Sequence, residues 1–250
     1  MTEPRHKSPG KPAASIRRLG VIGDVHAEDN RLGLALDYLQ AAGVDQIICT
    51  GDVVDGLGCP ETAVGLLQQH QVATVRGNHD RWLLADQVRH VPNAHARAGL
   101  GARTLDYLGN LPSAMALDTL AGKLLLCHGM GDNDLQKIWP GTARMPAERS
   151  KVLDRLIDNG DYRYIINGHM HFRTIIHFEA LTLINAGTLK GEQWPGFMLI
   201  DFASDSLTSL RFRDGKIDIA CEISLQPGSQ HTRWANTQAF AGDWQPLVLH

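Results

Sequence analysis

The sequence predicts an α/β protein built on a parallel sheet, from three observations. Apolar strand runs alternate with helix-spaced segments up to about Arg76, the stretch that follows is helical, and the remainder breaks into short strands. Arg18-Leu19-Gly20-Val21-Ile22-Gly23 is the first strand and runs into Asp24-Val25-His26. Residues 30 to 42 carry Leu32, Leu34, Leu36 and Leu39 at helical intervals, with Gly43 as the stop. Gln46 to Thr50 is the second strand, closed by Gly51-Asp52. Glu61 to His70 is the second helix, and Val72 to Arg76 the third strand, which ends in Gly77-Asn78-His79-Asp80. Two helices follow, Arg81 to Arg89 and Leu100 to Asn110, with Pro92 between them.

From Ala114 the pattern changes. Ala114 to Leu117 and Lys123 to Cys127 flank a turn-like Leu120-Ala121-Gly122, and the second run ends in His128-Gly129. The segment from Met130 to Pro146 is long for a structureless connection, so a lid or substrate wall is expected there. Ala147 to Asn159 has helical spacing, and Tyr162 to Ile166 is a strand ending in Asn167-Gly168-His169-Met170-His171. Five further strand runs follow, the last two joined by a hairpin turn at Asp214-Gly215. The tail from Pro227 to His250 has two tryptophans and no clear period. It is an arm packed on the domain or a partner contact.

Composition narrows the class. The hydrophobic fraction of 43% supports a substantial core, and no run approaches the ~20 apolar residues of a membrane span. Residues 1–15 read as a disordered leader, 16–225 as one domain and 226–250 as an arm. A net charge of −3 gives no field to recruit nucleic acid, so nucleic acid is not the expected partner. The four cysteines are scattered without CxxC spacing, which fits free thiols in a cytoplasmic protein.

Five segments share one form: an apolar strand followed at once by metal-ligand residue types. They are Asp24-x-His26, Gly51-Asp52, Gly77-Asn78-His79-Asp80, His128-Gly129 and Gly168-His169-x-His171. Singly, each has an ordinary structural reading as a turn or a strand cap. Jointly, acids, an amide and imidazoles at the ends of strands, with glycines beside them, point to a metal centre at the carboxyl edge of a sheet. Four histidines, two aspartates and one asparagine, without thiolate, suit Mn, Fe, Zn, Co or Ni rather than Mg or Ca. Seven ligands are too many for one ion. Two ions sharing one carboxylate would use them all, the arrangement that serves in-line displacement at phosphorus.

In this order the motifs D-x-H, GD-x-x-D, GNHD, HG and GHxH resemble those of the calcineurin-like metallophosphoesterases, over about Leu19 to Phe212. Gly51-Asp52-Val53-Val54-Asp55-Gly56 and Leu183-Ile184-Asn185-Ala186-Gly187-Thr188 look most like the small prokaryotic phosphodiesterase branch. The resemblance implies a four-layer αββα sandwich, two facing mixed sheets flanked by helices. It also implies two divalent transition-metal ions, Mn²⁺ foremost, with Asp24, His26 and His171 on one, Asn78, His128 and His169 on the other, and Asp52 bridging. A metal-bridging hydroxide would attack the phosphorus of a small phosphoester or nucleotide. His79, oriented by Asp55, would protonate the leaving oxygen or stabilise its charge.

Departures refine the expectation. Gly56 stands where protein Ser/Thr phosphatases of the superfamily carry arginine, and Ala27 where they and the diadenosine tetraphosphatases carry glycine. The alternative is a non-enzymatic scaffold like the retromer subunit of this fold, which lacks the histidine that His79 supplies here. A repair-type nuclease is disfavoured by the net charge. Arg76, Arg81, Arg144, Arg173, Lys190 and Trp139 lie near the motifs in sequence and are candidates for substrate contacts.

Overall fold

In the computed structural model, which describes residues 15–87 and 90–250, the chain opens with β1 (Arg18–Ile22), α1 (Asp29–Ala41), β2 (Gln46–Cys49), α2 (Pro60–Gln69), β3 (Ala73–Thr74) and α3 (Asn78–Leu84). The expected leader, Ser15 apart, lies outside the described residues, as does the end of the helix expected to reach Arg89. Next come α4 (Ala102–Gly109), β4 (Ala114–Thr119), β5 (Gly122–Cys127), α5 (Lys151–Asn159), β6 (Tyr164–Asn167), β7 (Arg173–Phe178) and β8 (Thr182–Ala186). The chain ends with β9 (Gly196–Asp201), β10 (Ser206–Arg213), β11 (Lys216–Ser224), β12 (Arg233–Trp234) and β13 (Leu247–Val248).

These strands form two mixed sheets. The first has the order β11-β10-β9-β1-β2-β3, parallel from β1 to β3 and antiparallel from β1 out to β11. The second has the order β12-β7-β8-β6-β5-β4, with β13 also on β7. Within it, β5, β6 and β8 run parallel.

Why the strands read as unbroken apolar runs is now visible. Successive strand residues face opposite sides, and both sides here are covered. Leu19, Val21 and Ile48 pack between the sheets with Leu124, Leu126, Tyr164, Ile166 and Ile184. Their neighbours Ile22, Ile47 and Cys49 pack outward with Leu32, Leu36 and Leu39 of α1 and Ala63, Val64 and Leu67 of α2. Leu125, Cys127, Ile165 and Leu183 pack on the other outer side, with Leu153 and Ile157 of α5. Helix, sheet, sheet, helix: the expected four layers are present.

Three element boundaries are corrected. β3 is two residues long, because only Ala73 and Thr74 pair with β2. α3 starts at Asn78 rather than Arg81. The Asp80 carboxylate accepts the Gly77 N–H at 3.0 Å and satisfies a donor at the helix start, half of a capping box. α5 starts four residues late, since Glu148 is held in a bridge with Trp139 and Ser150 then caps the helix through Leu153 N–H at 3.3 Å. The tail, which lacks a period, is ordered by aromatic packing. Trp234, Phe240 and Trp244 are buried in the third core with Trp139, itself 4.9 Å from Trp244 between ring centroids. The segment after Met130 therefore sends Trp139 inward as core rather than outward as a wall.

Candidate metal centre

Six of the seven expected ligands follow strands that meet on one edge of both sheets. Asp24 and His26 follow β1, Asp52 follows β2, His128 follows β5, and His169 and His171 follow β6, while Asn78 opens α3. Backbone bonds stitch the loops together: His26 N–H donates to Asp52 O at 2.7 Å, Asp24 N–H to Gly187 O at 3.0 Å, and Gly168 N–H to His128 O at 2.8 Å.

Asp24, His26, Asp52 and His171 place their ligand atoms within 4.8 Å of one another. His26 Nε2 lies 2.9 Å from His171 Nε2 and 3.8 Å from Asp52 Oδ2, and His171 Nε2 is 3.2 Å from Asp24 Oδ2. On the far side of Asp52, His128 Nε2 is 3.3 Å from the same Asp52 Oδ2 and 2.9 Å from Asn78 Oδ1. Asp52 thus stands between the two groups. His169 joins the second group ring to ring with His128, centroids 5.4 Å apart.

The donor chemistry fits cations. His26 Nδ1 lies 3.0 Å from Asp55 O and 3.2 Å from Val54 O, and His128 Nδ1 lies 2.8 Å from Thr50 O. A carbonyl only accepts, so each ring carries a hydrogen on Nδ1, and the neutral His26 ring turns its Nε2 lone pair inward. There it faces the Asp52 carboxylate, 3.8 Å away. Packing acceptor against acceptor in a buried space is costly unless a cation lies among them. Imidazole with oxygen and no thiolate suits a divalent transition metal.

The backbone is bent to make this possible. His26, Asp52, Asp55, His169 and His171 all have positive φ, between 45° and 69°. Residues other than glycine seldom adopt that conformation, at a cost of order 1–3 kcal/mol each. Hydrogen bonds hold the acids in place. Thr50 Oγ1 and His169 N–H donate to the two Asp24 oxygens, both at 2.8 Å, and His79 N–H donates to Asp52 Oδ1 at 2.8 Å. Gly77 is needed because a Cβ there would overlap the Asp52 carboxylate.

Beside the cluster stands a dyad. His79 Nδ1 is 2.7 Å from Oδ2 of the buried Asp55, and its ring is 4.9 Å from that of His26. Asp55 is gripped in turn by His95, a residue the sequence did not single out. His95 N–H donates to Asp55 Oδ1 at 2.8 Å, and Asp55 N–H donates to His95 Nδ1 at 3.0 Å. Asp80 was also missed. Besides Gly77 N–H it accepts Val53 N–H at 2.8 Å and Val54 N–H at 3.2 Å, tying the Asp52 loop to α3. The only signal was an Asp at the third helical position.

Burial and charge compete at each group. Burial pushes the Asp52 and Asp24 carboxyls up, yet His128 together with the other imidazoles, His26 and His79 at Asp52 and His171 at Asp24, holds both below the ordinary range. Burial pulls His128 down, but Asp52 and Asp24 raise it to about 10. Burial lowers His26 to about 4. Burial lowers His79, but the Asp55 hydrogen bond together with the charges of Asp52, Asp55 and Asp80 outweighs it, so its pKa is raised. Burial and the Asp52 charge raise Asp80 to about 7, against the pull of its N–H donors.

Of the candidate substrate contacts, Lys190 is the best placed: its Nζ donates to Asp55 O at 3.2 Å. Arg81 is bound to Asp134 through two bonds of 2.6 and 2.9 Å. Arg173 and Trp139 are buried and lie in the packing rather than on a surface. Arg76 is half-buried, and Arg144 is exposed on the long loop. No helix among the described residues is long and apolar enough to cross a membrane.

Comparison with known proteins finds the same fold. The DNA polymerase II small subunit of Methanothermobacter thermautotrophicus is 24% identical over 214 residues, 69% of this chain, and the chain spans 42% of that protein's length. The metallophosphoesterase of Sphaerobacter thermophilus has a similar structure, with TM-score 0.56 and 21% identity over 78% of this chain and 88% of that one. A novel archaeal phosphodiesterase (TM-score 0.51, 17% identity, 78% and 99% covered) and a Vps29 variant from Entamoeba histolytica (0.52, 19%, 83% and 98%) share the same fold. The sequence profile of the calcineurin-like phosphoesterase superfamily domain matches residues 18–205. The chain belongs to the calcineurin-like phosphoesterase superfamily.

Proposed function

We propose that the protein is a dinuclear metal-dependent phosphoester hydrolase, acting on a small phosphodiester or nucleotide rather than on a phosphoprotein. The observation that carries this reading is the His79–Asp55 pair, 2.7 Å apart beside the four-ligand cluster. A cluster that only stabilised the fold would have no use for an imidazole aligned by a buried carboxylate.

Asp24, His26 and His171 would hold one divalent ion, Asn78, His128 and His169 the other, and Asp52 both; Mn²⁺ is the first expectation, with Fe, Zn, Co or Ni as alternatives. When bound, such ions supply positive charge to the phosphate oxygens and lower the pKa of attacking water. The chain's own residues do the rest. Asp55 accepts the Nδ1 hydrogen of His79, which fixes the tautomer and aims Nε2 outward, where a protonated ring donates to the departing oxygen. Lys190 adds a cation at the Asp55 carbonyl, next to this pair. Against a phosphoprotein substrate, Gly56 leaves no room for the arginine of the protein phosphatases, because a Cβ there would overlap the His26 carbonyl oxygen.

The same reading places the catalytic domain in residues 16–225 and takes 226–250 as an arm closing the third core, in a cytoplasmic protein. The test is hydrolysis of bis-p-nitrophenyl phosphate with added Mn²⁺ by wild type, Asp52→Asn and His79→Ala. Wild type should turn over and both variants should fall sharply. Equal residual rates in all three would leave the scaffold reading, in which the fold serves protein partners.

A further inference from the structure

Thr188 to Gly196 form a compact loop seated directly on the metal centre. Gly196 N–H closes it on Thr188 O at 3.0 Å. Its base is tied to Asp24, whose carbonyl accepts Leu189 N–H at 2.9 Å and Thr188 Oγ1 at 2.8 Å. Arg31 clamps its outer side through Leu189 O and Gly191 O, at 2.7 and 2.8 Å. Compact loops with joined ends often carry function. This one carries two unlike groups: Lys190, which reaches Asp55, and Trp194.

Trp194 is unusual twice over. Its φ is +62°, a conformation that bulky residues rarely adopt and that costs energy to hold. It is also 50% exposed, although an indole gains more from burial than most side chains. One face lies nearly parallel on the His250 ring, at 3.9 Å between centroids and 27°. Phe172, the residue after His171, meets it edge-on at 6.3 Å and meets His250 at 5.1 Å. The support is therefore rigid on one face, and the exposure belongs to the other.

We infer that Trp194, backed by His250 and Phe172, is a stacking platform for a planar aromatic group of the substrate, a nucleobase foremost, whose phosphate sits at the metal centre near Lys190. This rests on the phosphoesterase reading and names its substrate class. Trp194 lies four positions after Lys190, so their backbones are at most ~14 Å apart, which is the scale of one nucleotide. A flat open face accepts any base, since each has a π-surface.

Calorimetry with the non-hydrolysable 5′-phosphonates of adenosine and of ribose tests this on the Mn²⁺-loaded protein. The two probes differ only by the base. Wild type should bind the adenosine compound about tenfold tighter, Trp194→Ala should bind both alike, and Trp194→Phe should keep most of the preference. A wild type that binds the two equally, or binds neither, overturns the inference, as does an alanine variant that keeps the preference. Wild-type turnover of bis-p-nitrophenyl phosphate is read separately. A protein that prefers adenosine without turning over sinks the enzyme reading alone, and one that turns over without the preference sinks only the platform.

Discussion

His26 and His128 are built alike and behave in opposite ways. Each ring is buried, holds its Nδ1 against a backbone carbonyl and points Nε2 toward Asp52 Oδ2, at 3.8 and 3.3 Å. Yet His26 is pushed down to about 4 and His128 up to about 10. Asp52 and Asp24 raise both rings, and the difference lies in what joins or opposes them. His26 also faces another imidazole, His171, at 2.9 Å, and feels the Lys190 cation, whereas His128 gains hydrogen bonds to Asp52 and to the Thr50 carbonyl. Desolvating an imidazolium costs several kcal/mol, and one carboxylate at ~4 Å returns about 4 kcal/mol at an effective dielectric near 20. The two acids cannot beat burial plus a competing ring at His26; with hydrogen bonds added they can at His128. Without metal, one half of the centre carries its own positive charge and the other half waits for one.

Replacing the shared acid should break this contrast most severely. Asp52→Asn removes the charge that both rings address. Metal content should fall on both sides together, and turnover should drop by more than the ~100-fold typical of losing a residue that merely supports a ligand. Elemental analysis showing one ion fully retained would mean Asp52 is not shared. The contrast itself is tested without metal. In EDTA, His128→Ala strands two buried carboxylates and should cost about 3–5 kcal/mol in urea unfolding. His26→Ala frees only carbonyls from a neutral ring and should cost about 1–3 kcal/mol. Equal losses would show that His128 is not charged in the folded protein.

How much of this was legible beforehand depended on whether the signal was a residue type or a backbone shape. The layers could be read because strands apolar at every position, such as Leu124 to Cys127, demand cover on both faces. Ligand types at strand ends could be read for the same reason: strand ends can be located and Asp, Asn and His are conspicuous there. The left-handed backbone at His26, Asp52, Asp55, His169 and His171 could not be read, since nothing in an Asp or a His announces positive φ. His95 was invisible because it meets Asp55 from forty positions away. The tail escaped because Trp234 and Trp244 pack as single anchors with no repeat between them.

Asp55 touches His26 and His79 with different atoms, which makes its two roles separable. Its carbonyl holds His26 Nδ1, while its carboxylate holds His79. Asp55→Asn leaves the carbonyl in place, so His26 keeps its tautomer and both ions should stay. His79 loses its anionic partner, and turnover should fall about 10–100-fold. An empty site in this variant would move Asp55 from supporting His79 to holding metal.

Asp80 offers the mildest and most local perturbation. Its two oxygens accept the Val53, Val54 and Gly77 N–H groups and so join the Asp52 loop to the start of α3. An asparagine in its place would turn an NH₂ group toward one of these donors, so Asp80→Asn should cost about 1–3 kcal/mol of stability. The loss falls on the His26 side, because Val54 O is one of the two carbonyls that fix that ring, whereas His128 is fixed by Thr50. Metal titration of Asp80→Asn should therefore weaken the site of Asp24, His26 and His171 before that of Asn78, His128 and His169. Equal weakening would show that the loop from Asp52 to Asp55 moves as one body and that the two halves are not supported independently.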